Sequence, residues 1–438
     1  MADRYCEVGP RRFALQSKRP CVLLAAAKWW PLSARLAMAL RRHGCDVSAV
    51  CSPAHPLTHV SNIRHIYPYE GLASLASLRR ALRESQPDMV IPCDDGVVLQ
   101  LHALYRSDPS LRTLIEYSLG SPESYPVVGS RHSFLRTAAD LGIRVARTDR
   151  VDTVQELETW HANTGGTCVL KIDGESGGNG VRISRTLDEA RAAWQDLRMA
   201  YGFATACKRL AIDRDLLALW QRRWQPVHEV TVQEFIPGRP ANSMLVCWRG
   251  RLLFVVSVVV VVAQGPTGAA AVVRVIQNES MQRDAERVVS RLQLTGFYGL
   301  DYILESGTGT PFLIELNPRC TQLGHLELAG KGSLAGCLSA ALRGEPSPDA
   351  QNPVSSDTIA LFPQALAAGE ACRSYIETGY HDVPSGEPQL VRELKLQSWP
   401  QRQWASRLYH AMSPLNRAGP VSFEERGADG RELDRALT

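Results

Sequence analysis

Pro311-Phe312-Leu313-Ile314-Glu315-Leu316-Asn317-Pro318-Arg319 is the stretch on which the fold turns. In an extended strand residues i and i+2 share a face, so Glu315 and Asn317 project together. Leu313, Ile314 and Leu316 mark a core strand, where an unserved carboxylate and amide would be expensive. Just upstream, Gly299 to Leu304 reads as a second strand, joined to the first through the turn Glu305-Ser306-Gly307-Thr308-Gly309-Thr310. The hairpin allows Asp301 to oppose Glu315 and Asn317. Two carboxylates and an amide oxygen form a hard-oxygen set suited to Mg²⁺, a metal normally held by few protein oxygens plus phosphates. Arg319, two residues on, offers a fork for a phosphate or a carboxylate.

Two more constellations lie upstream. Val169-Leu170-Lys171-Ile172-Asp173-Gly174-Glu175-Ser176-Gly177-Gly178-Asn179-Gly180-Val181 is a strand ending in lysine, a glycine-rich turn and a further strand. Glycines let backbone N–H groups approach phosphate oxygens, and lysine adds a compact positive charge. A tight hairpin with an incidental lysine accounts for the same residues. A P-loop does not, since no lysine follows the last glycine and a strand follows where a helix would be needed. Val230-Thr231-Val232-Gln233-Glu234-Phe235-Ile236-Pro237-Gly238 is a strand that breaks at Pro-Gly. Such an end leaves backbone groups free to pair with a planar heterocycle, with Phe235 and Ile236 as apolar walls; an ordinary exit into a turn remains the alternative.

The preceding residues alternate strand and helix. Cys21 to Ala25, Asp46 to Val50 and Met89 to Pro92 read as strands, with helices at Leu32 to Leu40 and about Leu72 to Leu82. That order indicates an open parallel α/β sheet. Ala26-Ala27-Lys28-Trp29-Trp30 stands where a dinucleotide fold would carry GxGxxG, which disfavours a Rossmann domain. Asp94-Asp95 follows a strand's carboxyl end, where ligands sit in such sheets, with helix capping by Asp95 as the competing role. From Arg131 a helix runs to Leu141, and residues 200–228 are basic and rich in Trp and Arg. Strands follow at Val230 to Phe235, Ser243 to Trp248, Leu252 to Ala263 and Ala270 to Ile276, then a helix at Met281 to Leu292. Gly344 to Ser356 reads as a linker.

Composition excludes several classes of function. The net charge of +4 over 438 residues is small, and the arginines are scattered without interleaved aromatics, so no nucleic-acid surface is expected. Eleven cysteines without a CxxC pair speak against a disulfide framework and a structural zinc site, and favour reduced thiols in the cytoplasm. Residues 1–19 contain no apolar signal segment. The longest apolar run, Leu252 to Ala263, is too short to span a membrane and is rich in β-branched valine, which suits a buried strand.

In order and spacing the three constellations resemble the ATP-grasp superfamily, and the metal strand most resembles the branch of carbamoyl-phosphate synthetase and biotin carboxylase. The resemblance runs from about Cys21 to Arg343. It implies an α/β and α+β architecture: an open parallel pre-ATP-grasp domain (20–126) behind the polar tail 1–19, a two-lobed ATP-grasp fold (127–343, small lobe about 145–236), and a linker with a small C-terminal extension (344–438). It further implies ATP with Mg²⁺, or Mn²⁺ in its place, as cofactors. On this resemblance Arg131 and Lys171 contact the nucleotide phosphates, beneath a loop containing Gly174, Gly177, Gly178 and Gly180. Gln233 and Ile236 hold adenine through backbone groups, with Glu234 a hinge side chain and Phe235 beside it. Asp301, Glu315 and Asn317 hold the metal, and Lys171 and Arg319 are the catalytic cations.

This chain also departs from the pattern. Arg239-Pro240-Ala241-Asn242 stands where many relatives carry a ribose-binding carboxylate. Cys320-Thr321-Gln322-Leu323-Gly324-His325 replaces the biotin carboxylase continuation, and no biotin-acceptor Met-Lys-Met is present. The activity implied is an ADP-forming ligase that turns a small-molecule carboxylate into an acyl phosphate and couples it to an amine. Carboxyl- or carbamoyl-phosphate chemistry on bicarbonate, and a non-catalytic ATP-sensing module, stay open as alternatives. Gln322 and His325 could face the acceptor, with a helix-capping or core role the alternative for His325; Gly265-Pro266-Thr267-Gly268 could be a substrate-side loop or a plain turn; and Arg144 and Arg147 could meet a carboxylate or be ordinary surface arginines. No membrane partner is expected, and the oligomeric state is open, a homodimer among the options.

Overall fold

The structure is a computed structural model that describes residues 19–173, 180–199, 229–329, 332–351, 353–396 and 419–423. At the N-terminal end, β1 (Cys21–Ala25), β2 (Asp46–Cys51), β3 (Ile66–Pro68) and β4 (Met89–Pro92) form a parallel sheet of order β3-β2-β1-β4. Its strands read as continuous apolar runs because both faces are covered. Val22 and Leu24 of β1 pack with Leu36 and Leu40 of the helix Pro31–Arg42. Leu23 and Ala25 point the other way, onto Leu78 and Leu82 of the helix Ser74–Ser85 and Leu101 of the helix Asp95–Ser107. The second of these helices begins later than its apolar spacing suggests, because Gly71–Ala73 is wound as a 3₁₀ turn.

A small antiparallel sheet follows, of order β5-β8-β6-β7, built from β5 (Thr148–Arg150), β6 (Cys168–Ile172), β7 (Val181–Ser184) and β8 (Val230–Glu234). Leu170 and Val232 pack on Trp160 of the helix Val154–Thr164 and Leu197 of the helix Leu187–Met199. The glycines Gly174, Gly177 and Gly178 and the basic stretch 200–228 lie outside the described residues.

The large sheet positions the site. It contains β9 (Gly238–Trp248), β10 (Arg251–Ala263), β11 (Ala270–Ile276), β12 (Gly296–Glu305) and β13 (Pro311–Asn317), in the order β13-β12-β9-β10-β11. Each of these strands is antiparallel to its neighbours. One face is covered by the amphipathic helix Glu279–Leu292, whose Met281, Val288 and Leu292 meet Leu245, Tyr298 and Leu300. The other face meets the helix Leu334–Arg343, whose Leu334 and Leu338 share a core with Met244 and Val256 and with Leu36 and Leu40 of the N-terminal layer. A short hairpin of β14 (Glu327–Leu328) and β15 (Gly332–Ser333) precedes that helix.

The C-terminal residues read as linker and extension add to this sheet. β16 (Thr358–Ala360) pairs with β11, and β17 (Tyr380–His381) pairs with β16. Beyond it Asp382, 1% exposed, accepts from buried Arg35 and sits 2.6 Å from His325 Nε2, which ties this segment to the N-terminal layer. β18 (Val421–Ser422) pairs with Val262 and Ala263 of β10, past the last residue at which β9 pairs with β10, Ala241 opposite Val259. Among the described residues nine cysteines are free and no helix is long and apolar enough to cross a membrane.

Candidate active site

The ladder places the polar residues in one transverse row. Glu315 on β13 is opposite Asp301 on β12, Asp301 is opposite Asn242 on β9, and Asn242 is opposite Val258 on β10. Asp301 accepts from Asn317 Nδ2 at 2.8 Å and from Asn242 Nδ2. Burial and the facing Glu315 carboxylate push Asp301 up from the ordinary carboxylate range, against the pull of its two asparagine donors. Burial works the same way on Glu315, but Arg131 and then Lys171 outweigh it and hold Glu315 below the usual range. Gly299 pairs with Asn317, and a Cβ there would lie 2.5 Å from Thr321 Cγ2. Only glycine lets the chain after β13 fold back so closely behind the row.

Three cations converge on these acids. Arg131, at the start of the helix Arg131–Asp140 and 9% exposed, donates to Asp173 at 2.6 Å and Glu315 at 2.7 Å. Burial opposes its charge, yet Glu315 and Asp173 raise its pKa above the ordinary arginine value. A phosphate-contacting role expected of this side chain must therefore share the guanidinium with two carboxylates, since a buried cation needs paired anions. Lys171 closes β6 at 4% exposure and forms no ion pair among the described residues. Burial, and next the charge of Arg131, lower its amine to about 8. Arg319 donates through Nε to both oxygens of Asp95, at 3.0 and 3.1 Å, and through Nη2 to Asn317 Oδ1 at 3.3 Å.

That last contact corrects the division of labour between the paired aspartates. Asp94, not Asp95, caps the helix Asp95–Ser107, accepting from Val97 N at 3.0 Å, and its second oxygen takes the N–H groups of Ala27 and Lys28. Asp95, in the first turn, is left to face Arg319. The N-cap residue precedes the helix, so its side chain turns back onto the backbone while the next one is free to point away.

A cavity of about 440 Å³ is bordered by Asp94, Arg131, Lys171, Asn242, Asp301, Glu315, Asn317 and Arg319 and continues to the strand exit at Gln233 to Ile236. Here too one expectation changes. Gln233 lies mid-sheet, opposite Thr148 on one side and Val169 on the other, so its backbone belongs to the ladder. Its side-chain amide donates to Thr148 Oγ1 at 2.8 Å. The unladdered backbone begins past Glu234, at Phe235 and Ile236, and Gly180, Glu234, Phe235 and Ile236 all border the cavity. Gly238 restarts the chain into β9, where a Cβ would lie 2.1 Å from the Leu304 carbonyl oxygen.

Other expectations resolve away from the chemistry. His325 belongs to the buried Asp382 pair, and burial lowers its pKa. Arg144 lies over the Phe312 ring, and Arg147 pairs with Asp149 at 3.6 Å. Gly265 and Gly268 close the turn between β10 and β11, whose Pro266 and Thr267 also border the cavity. Gln322 borders it as well. Two contributors had no clear sequence signal. Asn242 shows only as a polar residue at the entry to an apolar strand, and Trp29 and Trp30 only as the bulky substitute for a glycine-rich turn.

Comparison with known proteins agrees with this geometry. A family model described as an ATP-grasp domain matches residues 214–322. Formate-dependent phosphoribosylglycinamide formyltransferase of Synechococcus sp. (strain RCC307) is 25% identical over 307 residues, covering 68% of this chain and 70% of that protein. The same enzyme of Bordetella bronchiseptica is 25% identical over 170 residues, 37% of this chain, and the match spans only 39% of that relative's length. Among solved structures, N5-carboxyaminoimidazole synthetase from Staphylococcus aureus complexed with ADP superposes with a TM-score of 0.54 at 12% identity, covering 77% of this chain and 81% of that one. The biotin carboxylase domain of Hydrogenobacter thermophilus 2-oxoglutarate carboxylase, in complex with MgADP and bicarbonate, gives 0.57 at 12% identity, covering 77% and 72%. The match over residues 214–322 is to an ATP-grasp domain, and the α/β layer leading into two antiparallel sheets, which enclose a lysine, an arginine pair and an acid–amide row, shares the fold of these solved structures.

Proposed function

We propose that this protein is an ADP-forming ligase that activates a small-molecule carboxylate as an acyl phosphate and couples it to an amine. The observation that carries the reading is the Glu315–Asp301–Asn242 row with Lys171, Arg131 and Arg319 converging on it inside one cavity. Its donor set fits a divalent cation. Two half-buried carboxylates face each other across one strand pair, and Asn242 Oδ1 is buried with no hydrogen-bond partner. Asp301, Glu315 and Asn317 would hold Mg²⁺, which when bound neutralises phosphate charge during phosphoryl transfer.

The chain's own groups divide the remaining work. Phe235 and Ile236 supply apolar walls and free backbone for the base, while Lys171 and Arg131 lie along the phosphates. The γ-phosphoryl group passes to a carboxylate oxygen of the substrate as its bond to the β-phosphate oxygen breaks and ADP leaves. Arg319, steadied by Asp95 and Asn317, meets the charge that develops on the transferring group. The amine lone pair then attacks the carbonyl carbon, the C–O bond to phosphate breaks, and inorganic phosphate and a proton are released. The name of one relative, a formate-dependent formyltransferase, supports a carboxylate as the acid substrate.

Hydroxylamine, a small nucleophile, tests the reading without knowledge of the natural amine. Incubation with Mg·ATP and a panel of carboxylic acids should release ADP and give a hydroxamate with the correct acid. ADP binding without ADP formation across acids and amines would leave only a nucleotide sensor.

A further inference from the structure

Given the ligase reading on which it rests, we infer that the acid this enzyme activates carries an apolar body, aliphatic or aromatic, and is neither formate nor bicarbonate. The cavity does not end at the metal row. Small-lobe contacts fall at the β13 edge of the large sheet, where Gln233 Nε2 reaches the Ile314 carbonyl and Val145 bridges to Leu313. From that edge the row runs inward through Asp301 and Asn242 and turns apolar at Val258 of β10. At one strand spacing per step, Val258 lies about 10 Å beyond Asp301, on the side away from the base. Val260 and Val273, paired across β10 and β11, carry the apolar floor further along the same lining.

The opposite side of this compartment is also apolar. Phe423, at the end of β18, donates its N–H to the Val261 carbonyl at 2.8 Å and borders the cavity. Trp30, after β1, borders it with an indole Nε1 that is buried and has no hydrogen-bond partner. Charge is scarce here. Of the cavity's cations, Arg131 is shared by two carboxylates and Arg319 leans on Asp95. Among the described residues the other two cations of the cavity are Lys171, beside the acid row, and Lys28, next to the tryptophans in sequence. Lys28 alone is a poor cradle for a phosphate group, which calls for several charge-assisted donors. A formyl- or bicarbonate-sized acid covers little of the apolar lining that Trp30, Val260 and Phe423 present to the cavity, whereas an alkyl or aryl body packs against it.

The test is ADP release by the full chain with Mg·ATP and hydroxylamine, comparing formate, bicarbonate, aspartate, leucine, phenylalanine and octanoate. The inference expects an acid with an apolar body to exceed formate, bicarbonate and aspartate in kcat/KM by at least about tenfold. Val260→Thr keeps shape and strand propensity while placing a hydroxyl on the floor, and Phe423→Ala removes the wall from an edge strand. Each should raise KM for the preferred acid about tenfold and leave KM for ATP unchanged. Turnover driven by formate, bicarbonate or aspartate as well as by the apolar acids overturns the inference and leaves the ligase reading standing. So does an unchanged acid KM in both folded variants. ADP release with none of the acids overturns the ligase reading, and this inference with it.

Discussion

Replacing Glu315 by glutamine separates chemistry from folding. The wild-type carboxylate accepts from Arg131 Nη2 at 2.7 Å, while Asp173 holds Nη1 of the same guanidinium at 2.6 Å. Glutamine keeps an oxygen for Arg131, and Asp173 keeps the buried cation paired. The loss of stability should therefore stay near 1–2 kcal/mol, below the 3–5 kcal/mol of a buried ion pair broken outright. Catalysis should suffer more. Glu315 supplies one of two carboxylates in the metal row, and losing its charge weakens metal and transition-state stabilisation together. We expect kcat/KM to fall about 10³-fold, equivalent to about 4 kcal/mol, with a higher apparent Mg²⁺ requirement. Circular dichroism melts and ADP release over a Mg²⁺ titration read the two effects separately. A folded E315Q protein retaining activity within about tenfold of wild type at saturating Mg²⁺ would refute the metal assignment and reduce Glu315 to an ion-pair partner.

Three further outcomes follow from other groups. Lys171 is charged below about 8 because burial and Arg131 lower its pKa, so kcat/KM for ATP should decline as pH rises through 8. Lys171→Arg, charged throughout, should lose that limb in a pH-rate profile; an unchanged limb would place the titration elsewhere. His55 and His102 are held neutral, with burial lowering both to about 3 against an ordinary value of 6.5. A lowered histidine pKa gives stability that is complete above pH 6.5 and is lost as pH falls toward 3, roughly 2 kcal/mol per group by pH 5. His102→Phe keeps the stack on Tyr125, 4.2 Å between ring centroids, and should shallow the acid slope in urea titrations at pH 7 and 5. Asp382→Asn leaves the buried Arg35 cation with a neutral partner and should destabilise by about 3 kcal/mol in denaturant, while KM for ATP stays constant.

Much of the site was legible because side-chain period and burial act locally. A carboxylate and an amide two apart in Leu313-Ile314-Glu315-Leu316-Asn317 must share a face of a core strand, and only a ligand makes that placement worthwhile. The valine run of β10 declared a strand, whereas the burial of Lys171 near the end of β6 appeared only in the structure. Local pattern could not say which strands become neighbours. Asn242 joins Asp301 across a ladder linking residues 59 apart, and Asp95 reaches Arg319 across 224. Of the two roles open to His325, Asp382 decides for the core, and it lies in a segment that carried no functional signal of its own.

By itself, then, the sequence determined the elements, the acid–amide pair on β13 and the cations meant to face phosphate, because each depends on the period of a single strand. Tertiary structure decided the rest: that Arg131 is shared between Asp173 and Glu315, that Asp94 caps while Asp95 pairs with Arg319, and that β18 takes the edge of β10 which β9 leaves unpaired. Those outcomes depend on register and on buried charge finding its counterion, and both are settled only when distant strands meet.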